Sequence, residues 1–149
     1  MIEKNIRINI KDYLLIGEAH RCATERFVRN VSELGLDITF DQWLILGPIW
    51  QLKGASQKAL GKISCKDKTN VTRIIDSLEK KNLLVRVTDQ LDQRVNRVIL
   101  TKLGEQLFYD VLPIMQKTRD QMNENVSESD KAIFKSVLAQ LIENHESYS

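Results

Sequence analysis

Four side chains near the middle of the chain have the chemistry needed to read the edges of DNA bases. They lie within six residues of one another: Lys68, Thr69, Asn70 and Arg73. Lys and Arg donate to O6 and N7 of guanine, Asn pairs with N6 and N7 of adenine, and the Thr methyl group contacts the methyl group of thymine. We expect these residues to enter a major groove, although the sequence does not show which residue reads which base.

The element that positions these side chains is predicted to be an amphipathic helix. Its apolar residues recur at intervals of three and four and form one stripe: Val71, Ile74, Ile75 and Leu78. The helix is expected to end near Asn82, because Lys80 and Lys81 suit the negative end of the helix dipole and Asn tolerates a left-handed conformation. We interpret Lys62, Lys80 and Lys81 as ordinary solvated charges.

A two-stranded β-hairpin is predicted directly after this helix. Residues 84–88 and 95–100 are β-branched and roughly alternating, and a polar segment separates them. Arg94 lies in that segment, where an Arg can enter a narrow minor groove. We expect Asp92 to orient Arg94 by a charge-assisted hydrogen bond and Arg97 to assist it. Helix and hairpin together would contact both grooves.

Two short helices are predicted before the amphipathic helix that carries the four base-reading side chains, which we call the recognition helix. Thr39 and Gln42 form a capping-box pattern for a helix that ends near residues 53–54, and Ser56 is the predicted N-cap of the next helix. These elements make a helix-turn-helix, which the hairpin extends into a winged form. The side chains expected to contact phosphates, which fix register without reading sequence, are Ser56, Lys58, Lys66 and Thr72.

The charge of the chain is concentrated in this middle region. The 149 residues carry a net charge of +2, yet residues 53–102 hold twelve Lys and Arg against five Asp and Glu. That segment is therefore +7 and the remainder of the chain is −5. Such asymmetry is typical of a protein in which one lobe meets phosphate and the other does not.

The sequence of residues 67–81, Asp67-Lys-Thr-Asn-Val-Thr-Arg-Ile-Ile-Asp-Ser-Leu-Glu-Lys-Lys, resembles the multiple antibiotic resistance regulator (MarR) family. Asp92-x-Arg94 and the following Leu100-Thr101 resemble its wing, and Thr39-x-x-Gln42-Trp43-x-x-Leu46 resembles its second helix. The chain departs from the family at Asn82, where the family usually carries Gly. The resemblance implies a mostly α fold with a small β-hairpin wing and a transcriptional regulator that binds double-stranded DNA.

Long helices are predicted at both ends of the chain, over about 10–34, 105–125 and 132–143. Pro113 is expected to kink the second of these helices, and Ser127 to cap the third. In the MarR family such helices from two chains form a dimerisation lobe. The resemblance therefore implies one domain, 1–149, with a DNA-binding lobe at about 37–101 and a dimerisation lobe at about 8–35 and 103–147.

A homodimer would bind an inverted repeat whose half-sites lie one helical turn, about 34 Å, or a multiple of it apart. Repression is expected, because a dimer over a promoter blocks polymerase without further machinery. The resemblance also allows release by a small phenolic or amphipathic effector. Aromatic and polarisable side chains typically surround such a ligand, and six of them are candidates here: His20, Phe40, Trp43, Trp50, Phe108 and Met115. The alternative is that these side chains belong to the hydrophobic core.

Other functions have less support in the sequence. A redox switch through Cys22 or Cys65 is an alternative, with Cys65 expected near Lys66 and a helix N-terminus. A winged helix used only for protein contacts is another. No common enzyme motif or metal-ligand spacing is present, so we expect neither catalysis nor a metal or cofactor. The chain has no apolar segment of membrane-spanning length and no signal-peptide pattern, which predicts a cytoplasmic location.

Overall fold

The fold is described by a computed structural model, which gives the backbone of residues 2–148 and the side chains of residues 12–148. Its elements in chain order are α1 (Ile2–Ser32), α2 (Phe40–Gln51), β1 (Ala55–Ser56), α3 (Gln57–Ser64), α4 (Lys68–Lys80), β2 (Leu84–Thr88), β3 (Asn96–Leu100), α5 (Lys102–Met122) and α6 (Glu128–Ser147). The predicted class, mostly α with a small β wing, is confirmed.

The chain divides into two compact units, Met1–Thr118 and Arg119–Ser149. The core of the first unit forms around α4, whose predicted apolar stripe is buried along its whole length. The fully buried side chains of α2 and α3 that belong to the same core are Ile45, Leu46, Ile49 and Leu60. Burial of one face of α4 in this core leaves its opposite face on the surface.

The wing is part of a three-stranded antiparallel sheet with the strand order β1-β3-β2. The prediction of a two-stranded hairpin is therefore incomplete, because Ala55 and Ser56 pair with Val98 and Arg97 of β3. A strand of two residues is too short to show an alternating pattern. Val98 of β3 is fully buried, so its side chain anchors the base of the wing in the core.

The predicted helix ends are confirmed by their hydrogen bonds. Thr39 and Gln42 form the reciprocal capping box, with both bonds at 3.1 Å. Ser56 accepts the N–H of Ala59, and Ser127 caps α6 in the same way. Asn82 has φ 57°, the left-handed conformation for which Asn is the best replacement for Gly. Asn82 therefore adopts the conformation that favours Gly, despite the departure from the family pattern.

The terminal helices differ in length from the predictions. The first helix begins at Ile2 instead of about residue 10 and ends at Ser32, α5 passes through Pro113 without interruption, and α6 is longer at both ends. Phe27 and Val31 of the predicted α1 stripe are buried, whereas Tyr13 and Ile16 are exposed. None of the described helices is both long and apolar enough to cross a membrane.

Candidate nucleic-acid interface

The exposed face of α4 carries the residues predicted to read bases. Lys68, Thr69 and Arg73 are exposed, while Asn70 is half-buried. Asp67, which the sequence analysis did not assign to the site, is the N-cap of α4. Its carboxylate accepts the backbone N–H of Asn70 at 2.8 Å, and this bond, followed by one from the Asn70 side chain, holds the pKa of Asp67 below its usual range. The first turn of the helix is therefore fixed by an ionised carboxylate.

Two of the residues predicted to contact phosphates have structural roles in the helix-turn-helix. The hydroxyl of Thr72 donates to the backbone oxygen of Lys68 at 2.9 Å and accepts from Gln57 Nε2 at 3.1 Å, so it joins α3 to α4. Ser56 Oγ is used as the N-cap acceptor of α3. Both side chains fix the geometry of the motif, and their phosphate contacts stay predictions.

A basic cleft of about 470 Å³ lies beside the start of α4. Its lining residues are Gln57, Lys58, Gly61, Lys62, Lys66 and Lys68, with no carboxylate among them. Lys62 is exposed, as expected of a solvated charge, and it also lines this cleft. The signal in the sequence was its spacing, because Lys58 and Lys62 are four residues apart and lie on one helix face. Like charges at this spacing disfavour the free helix slightly and favour an anionic partner.

Lys66 is held by an acidic residue in the unbound chain. Its Nζ lies 2.9 Å from Asp41 Oδ1, and its side chain is only 23% exposed. Lys66 also lines a second groove of about 470 Å³, together with His20, Thr24, Phe40 and others of α1 and α2. The predicted phosphate contact therefore requires Lys66 to leave or share Asp41.

The tip of the wing is ordered by carboxylates. Asp89 accepts the backbone N–H groups of Leu91 and Asp92 at 2.8 and 3.1 Å, and these bonds, with Arg97 next, lower its pKa. Because the pKa is lowered on folding, the stabilisation is complete above the usual pKa of an aspartate and is lost as the pH falls through the lowered value. The tip therefore keeps its shape at neutral pH.

Asp92 acts on Arg94 differently from the prediction. Its Oδ1 accepts the backbone N–H of Arg94 at 3.0 Å, whereas the predicted bond was to the guanidinium. An Asx-type bond between residues two apart fixes the turn of the main chain, not the side chain. The Arg94 side chain remains exposed at the hairpin tip, where it is free to reach a groove.

Arg97 points to the base of the wing instead of assisting Arg94. It donates to the backbone oxygen of Gly54 at 2.9 Å and pairs with Asp89 at 3.6 Å, so it links the tip of the wing to β1. Arg86 of β2 has a similar structural role, since it pairs with Asp76 and Glu79 of α4. Arg86 thus orients the wing against α4, and Arg97 joins the wing to the residue before β1. Arg94 is left as the candidate groove contact of the wing.

The six predicted effector residues do not line one open cavity. Trp43 and Phe108 are buried and stack with ring centroids 5.1 Å apart, and Trp50 stacks on the other side of Phe108 at 4.7 Å. Met115 is partly buried and packs against the hydrophobic core. His20 and Phe40 meet edge to face at 6.0 Å and line the groove that also contains Lys66. An effector role for the six residues stays a prediction.

Cys22 lies in the first helix and Cys65 in the turn before α4, as expected. Cys65 is exposed with φ 54° and forms the C-cap of α3, at the negative end of the helix dipole. The expected helix N-terminus is instead capped by Asp67. Cys22 is half-buried in α1. Within the part of the chain that the structure describes, no group of three His, Cys, Asp or Glu residues is placed to hold a metal ion.

The model of the MarR family matches residues 38–95 of this chain, which span α2, α3, α4 and the wing tip. These residues are therefore a MarR-family domain. The match covers the helix-turn-helix whose capping residues, buried stripe and exposed basic face are described above. It confirms the resemblance that the motif at residues 67–81 predicted.

The similarity to solved structures of the same fold covers more of the chain than residues 38–95. A mutant of E. coli MarR complexed with operator DNA is 23% identical, with a TM-score of 0.78 over 85% of this chain and 90% of that chain. A probable transcriptional regulator from Pseudomonas aeruginosa is 21% identical, with a TM-score of 0.78 over 86% and 94%. Bordetella bronchiseptica BpsR, whose DNA binding is regulated by 6-hydroxynicotinic acid, is 19% identical, with a TM-score of 0.78 over 85% and 89%.

Proposed function

We propose that this protein is a transcriptional regulator that binds double-stranded DNA with sequence specificity. The observation that carries the proposal is the exposed face of α4, where Lys68, Thr69 and Arg73 project from a helix whose other face is anchored in the core. The basic cleft and the exposed Arg94 supply charge for phosphates and for a minor groove. The structure of E. coli MarR with operator DNA supports this function for the shared fold.

Binding of the purified protein to a random duplex library tests the proposal. We expect the selected sites to be inverted repeats with half-sites about one helical turn, or a multiple of it, apart. The logarithm of affinity should fall linearly with the logarithm of salt concentration, because each neutralised phosphate releases counterions. Affinity that does not respond to salt would favour a winged helix used for protein contacts, and an absence of selected sequence would contradict specific recognition.

The active form is proposed to be a homodimer that represses transcription in the cytoplasm. Apolar side chains are exposed on α1 and, separately, on α6, where Ile133, Phe134 and Val137 are each more than half exposed and no residue is buried. Soluble monomers rarely expose contiguous apolar surface of this kind. A second copy of the chain, as in the MarR family, is the occupant that we propose for both surfaces.

Phe134→Asp is expected to shift the protein from dimer to monomer at micromolar concentration, because it places a charge in an apolar interface. Molar mass measured by light scattering across a dilution series reports this change. Ser136→Asp is the matched control, since Ser136 is an exposed polar residue of the same helix, and it should remain dimeric. A wild-type protein that is monomeric at all concentrations would contradict the dimer.

The groove between α1 and α2 is the proposed site of a small effector. Phe40 and His20 offer ring contacts. Arg21 and Lys66 offer hydrogen-bond donors to an acid, which would compete with Glu25 and Asp41 of the same groove for them. An aromatic carboxylate or phenol has the matching chemistry, and 6-hydroxynicotinic acid, which regulates BpsR, is of this class. Titration of such compounds against protein bound to its operator should release DNA, and Phe40→Ala should raise the concentration required.

Asp41→Asn is expected to raise DNA affinity by about 2- to 5-fold per half-site at low salt, since it frees Lys66 and removes a carboxylate that repels phosphate. The salt dependence should also become steeper. Fluorescence anisotropy across a salt series measures both. Asp37→Asn is the matched control, because Asp37 pairs with Lys81 at 2.8 Å beyond the C-terminal end of α4. Equal effects of the two variants would show that Lys66 does not bind phosphate.

A further inference from the structure

A continuous chain of side-chain hydrogen bonds runs from the N-cap of α4 into its second turn. Asp67 accepts the side-chain amide of Asn70, with 2.6 Å between Oδ2 and Nδ2. The other end of that amide, Asn70 Oδ1, accepts from Nη2 of Arg73, also at 2.6 Å. Asp67, Asn70 and Arg73 follow one another at intervals of three residues, so they lie along one face of the helix. We call these three residues the α4 relay.

The α4 relay fixes the orientation of the Asn70 amide. Recognition of adenine by Asn uses both ends of the amide together, with the nitrogen donating to N7 and the oxygen accepting from N6. In the unbound chain the nitrogen is bonded to the carboxylate of Asp67 and the oxygen to the guanidinium of Arg73. Asn70 is also half-buried, whereas Arg73 is exposed. One amide N–H and one lone pair of Oδ1 remain unused, but the two bonds hold the amide in the orientation set by Asp67 and Arg73. Asn70 could turn both ends of its amide toward an adenine only by giving up that orientation.

The same bonds favour base reading by Arg73. A guanidinium has five N–H donors, and the bond to Asn70 uses one of them, so donors remain for the O6 and N7 atoms of guanine. A long Arg side chain loses rotamer freedom when it binds, and less is lost if its planar group is already oriented. The carboxylate of Asp67 polarises the amide between them, which strengthens the bond to Arg73.

We propose that Arg73 reads a guanine in each half-site and that Asn70 is a positioning residue, which orients Arg73 from the N-cap Asp67 and does not itself read adenine. The proposal rests on the proposed DNA-binding function and assigns roles that the sequence left open. It predicts that Asn70 and Arg73 determine the preference at one shared base pair. Two independent readers would instead determine preferences at two base pairs.

The test is a double-mutant cycle measured against an operator in which every base pair is substituted in turn. Arg73→Ala should lower discrimination at one G·C pair by about 5- to 150-fold. Asn70→Ala should lower discrimination at that same pair, and the double variant should be no worse than Arg73→Ala alone, because the second change acts through the first. Loss of preference at a separate A·T pair in Asn70→Ala, with independent effects in the double variant, would overturn the proposal.

Asp67→Ser separates the α4 relay from the stability of the helix. Ser is a good N-cap and still accepts the backbone N–H of Asn70, but it lacks the second oxygen that holds the Asn70 amide. We expect weaker discrimination at the base pair affected by Arg73→Ala, whereas the affinity for nonspecific DNA should not fall, because the variant loses a carboxylate that repels phosphate. An equal loss of affinity for all sequences would mean that Asp67 has only a capping role, which contradicts the α4 relay.

The wild-type protein distinguishes failure of this proposal from failure of the proposed function. If it selects no sequence from the duplex library, DNA recognition and the α4 relay are both wrong. A second outcome is that the wild-type protein binds a defined operator while Asn70→Ala and Arg73→Ala change the preference at different base pairs. In that case DNA recognition holds and only the roles assigned to the α4 relay are wrong.

Discussion

Gly104→Ala is expected to destabilise the protein by about 3 kcal/mol or more, at the upper end of the cost of overpacking. A Cβ atom at this position would lie 1.9 Å from the backbone oxygen of Leu83 and 2.9 Å from its carbonyl carbon. A backbone group cannot move aside as the end of a flexible side chain can. The start of α5 would therefore have to separate from the turn between α4 and β2.

This close approach is maintained by hydrogen bonds on both sides of Gly104. Thr101 donates its N–H to Leu83 at 3.1 Å and its hydroxyl to the oxygen of Asn82 at 2.7 Å, and it accepts the N–H of Gly104 at 3.0 Å. The left-handed Asn82 places the oxygen of Leu83 against the first turn of α5. A larger residue at position 104 disturbs the join between the recognition helix, the wing and α5.

Thermal denaturation followed by circular dichroism measures the effect. A loss of about 3 kcal/mol corresponds to a decrease in Tm of about 6–12 °C for a chain of this size. Gly17→Ala is the matched control, because Gly17 lies inside α1, is exposed and has open space around its Cβ position. It should be neutral or raise stability by about 0.5–1 kcal/mol. Equal Tm values for the two variants would contradict the packing at Gly104.

Arg94→Ala is expected to weaken operator binding by about 10- to 100-fold per half-site, which is the range for one hydrogen-bonded charged contact. Its backbone is fixed by Asp92, and its exposed guanidinium extends from the tip of the wing. The negative potential of a narrow minor groove favours Arg in particular. Fluorescence anisotropy at moderate salt, with operator and nonspecific duplexes, measures this loss.

Two further variants define what the wing recognises. Gln93→Ala removes an exposed neighbour of Arg94 at the tip and should leave affinity unchanged. Arg94→Lys keeps the charge but loses the planar guanidinium, so it should recover only part of the affinity. Unimpaired binding by Arg94→Ala at moderate salt would remove the wing from the mechanism. Full recovery by Arg94→Lys would show that charge alone is recognised.

The sequence could predict the helix-turn-helix because its signals are local. The stripe from Val71 to Leu78 repeats at helical spacing, and each cap acts on residues three or four positions away. The α4 relay could also have been found in this way, since its members are three residues apart. The missed signal was the combination of an N-cap carboxylate, an amide and a guanidinium at one spacing.

Contacts between residues that are far apart in the chain could not be predicted from the sequence. Lys66 and Asp41 are 25 positions apart, and Arg97 meets Gly54 across 43, so neither pair follows from local spacing. Sequence reasoning consequently assigned Lys66 and Arg97 to DNA, although the unbound chain engages both. The stack of Trp43 on Phe108 likewise depends on how α5 packs against α2, and it places both residues in the core, one of the two roles that the sequence left open for them.

The sequence by itself determined the class of fold, the resemblance of residues 38–95 to the MarR family and the helix that we propose for base recognition, because periodicity, capping and charge act within a few residues. Tertiary structure decided which of the basic side chains are available for DNA. Packing brought Asp41 to Lys66 and Gly54 to Arg97, while Lys58, Lys62 and Lys68 were gathered into one cleft. A charge already paired within the chain contributes to orientation, and a charge left on the surface is free to bind a partner.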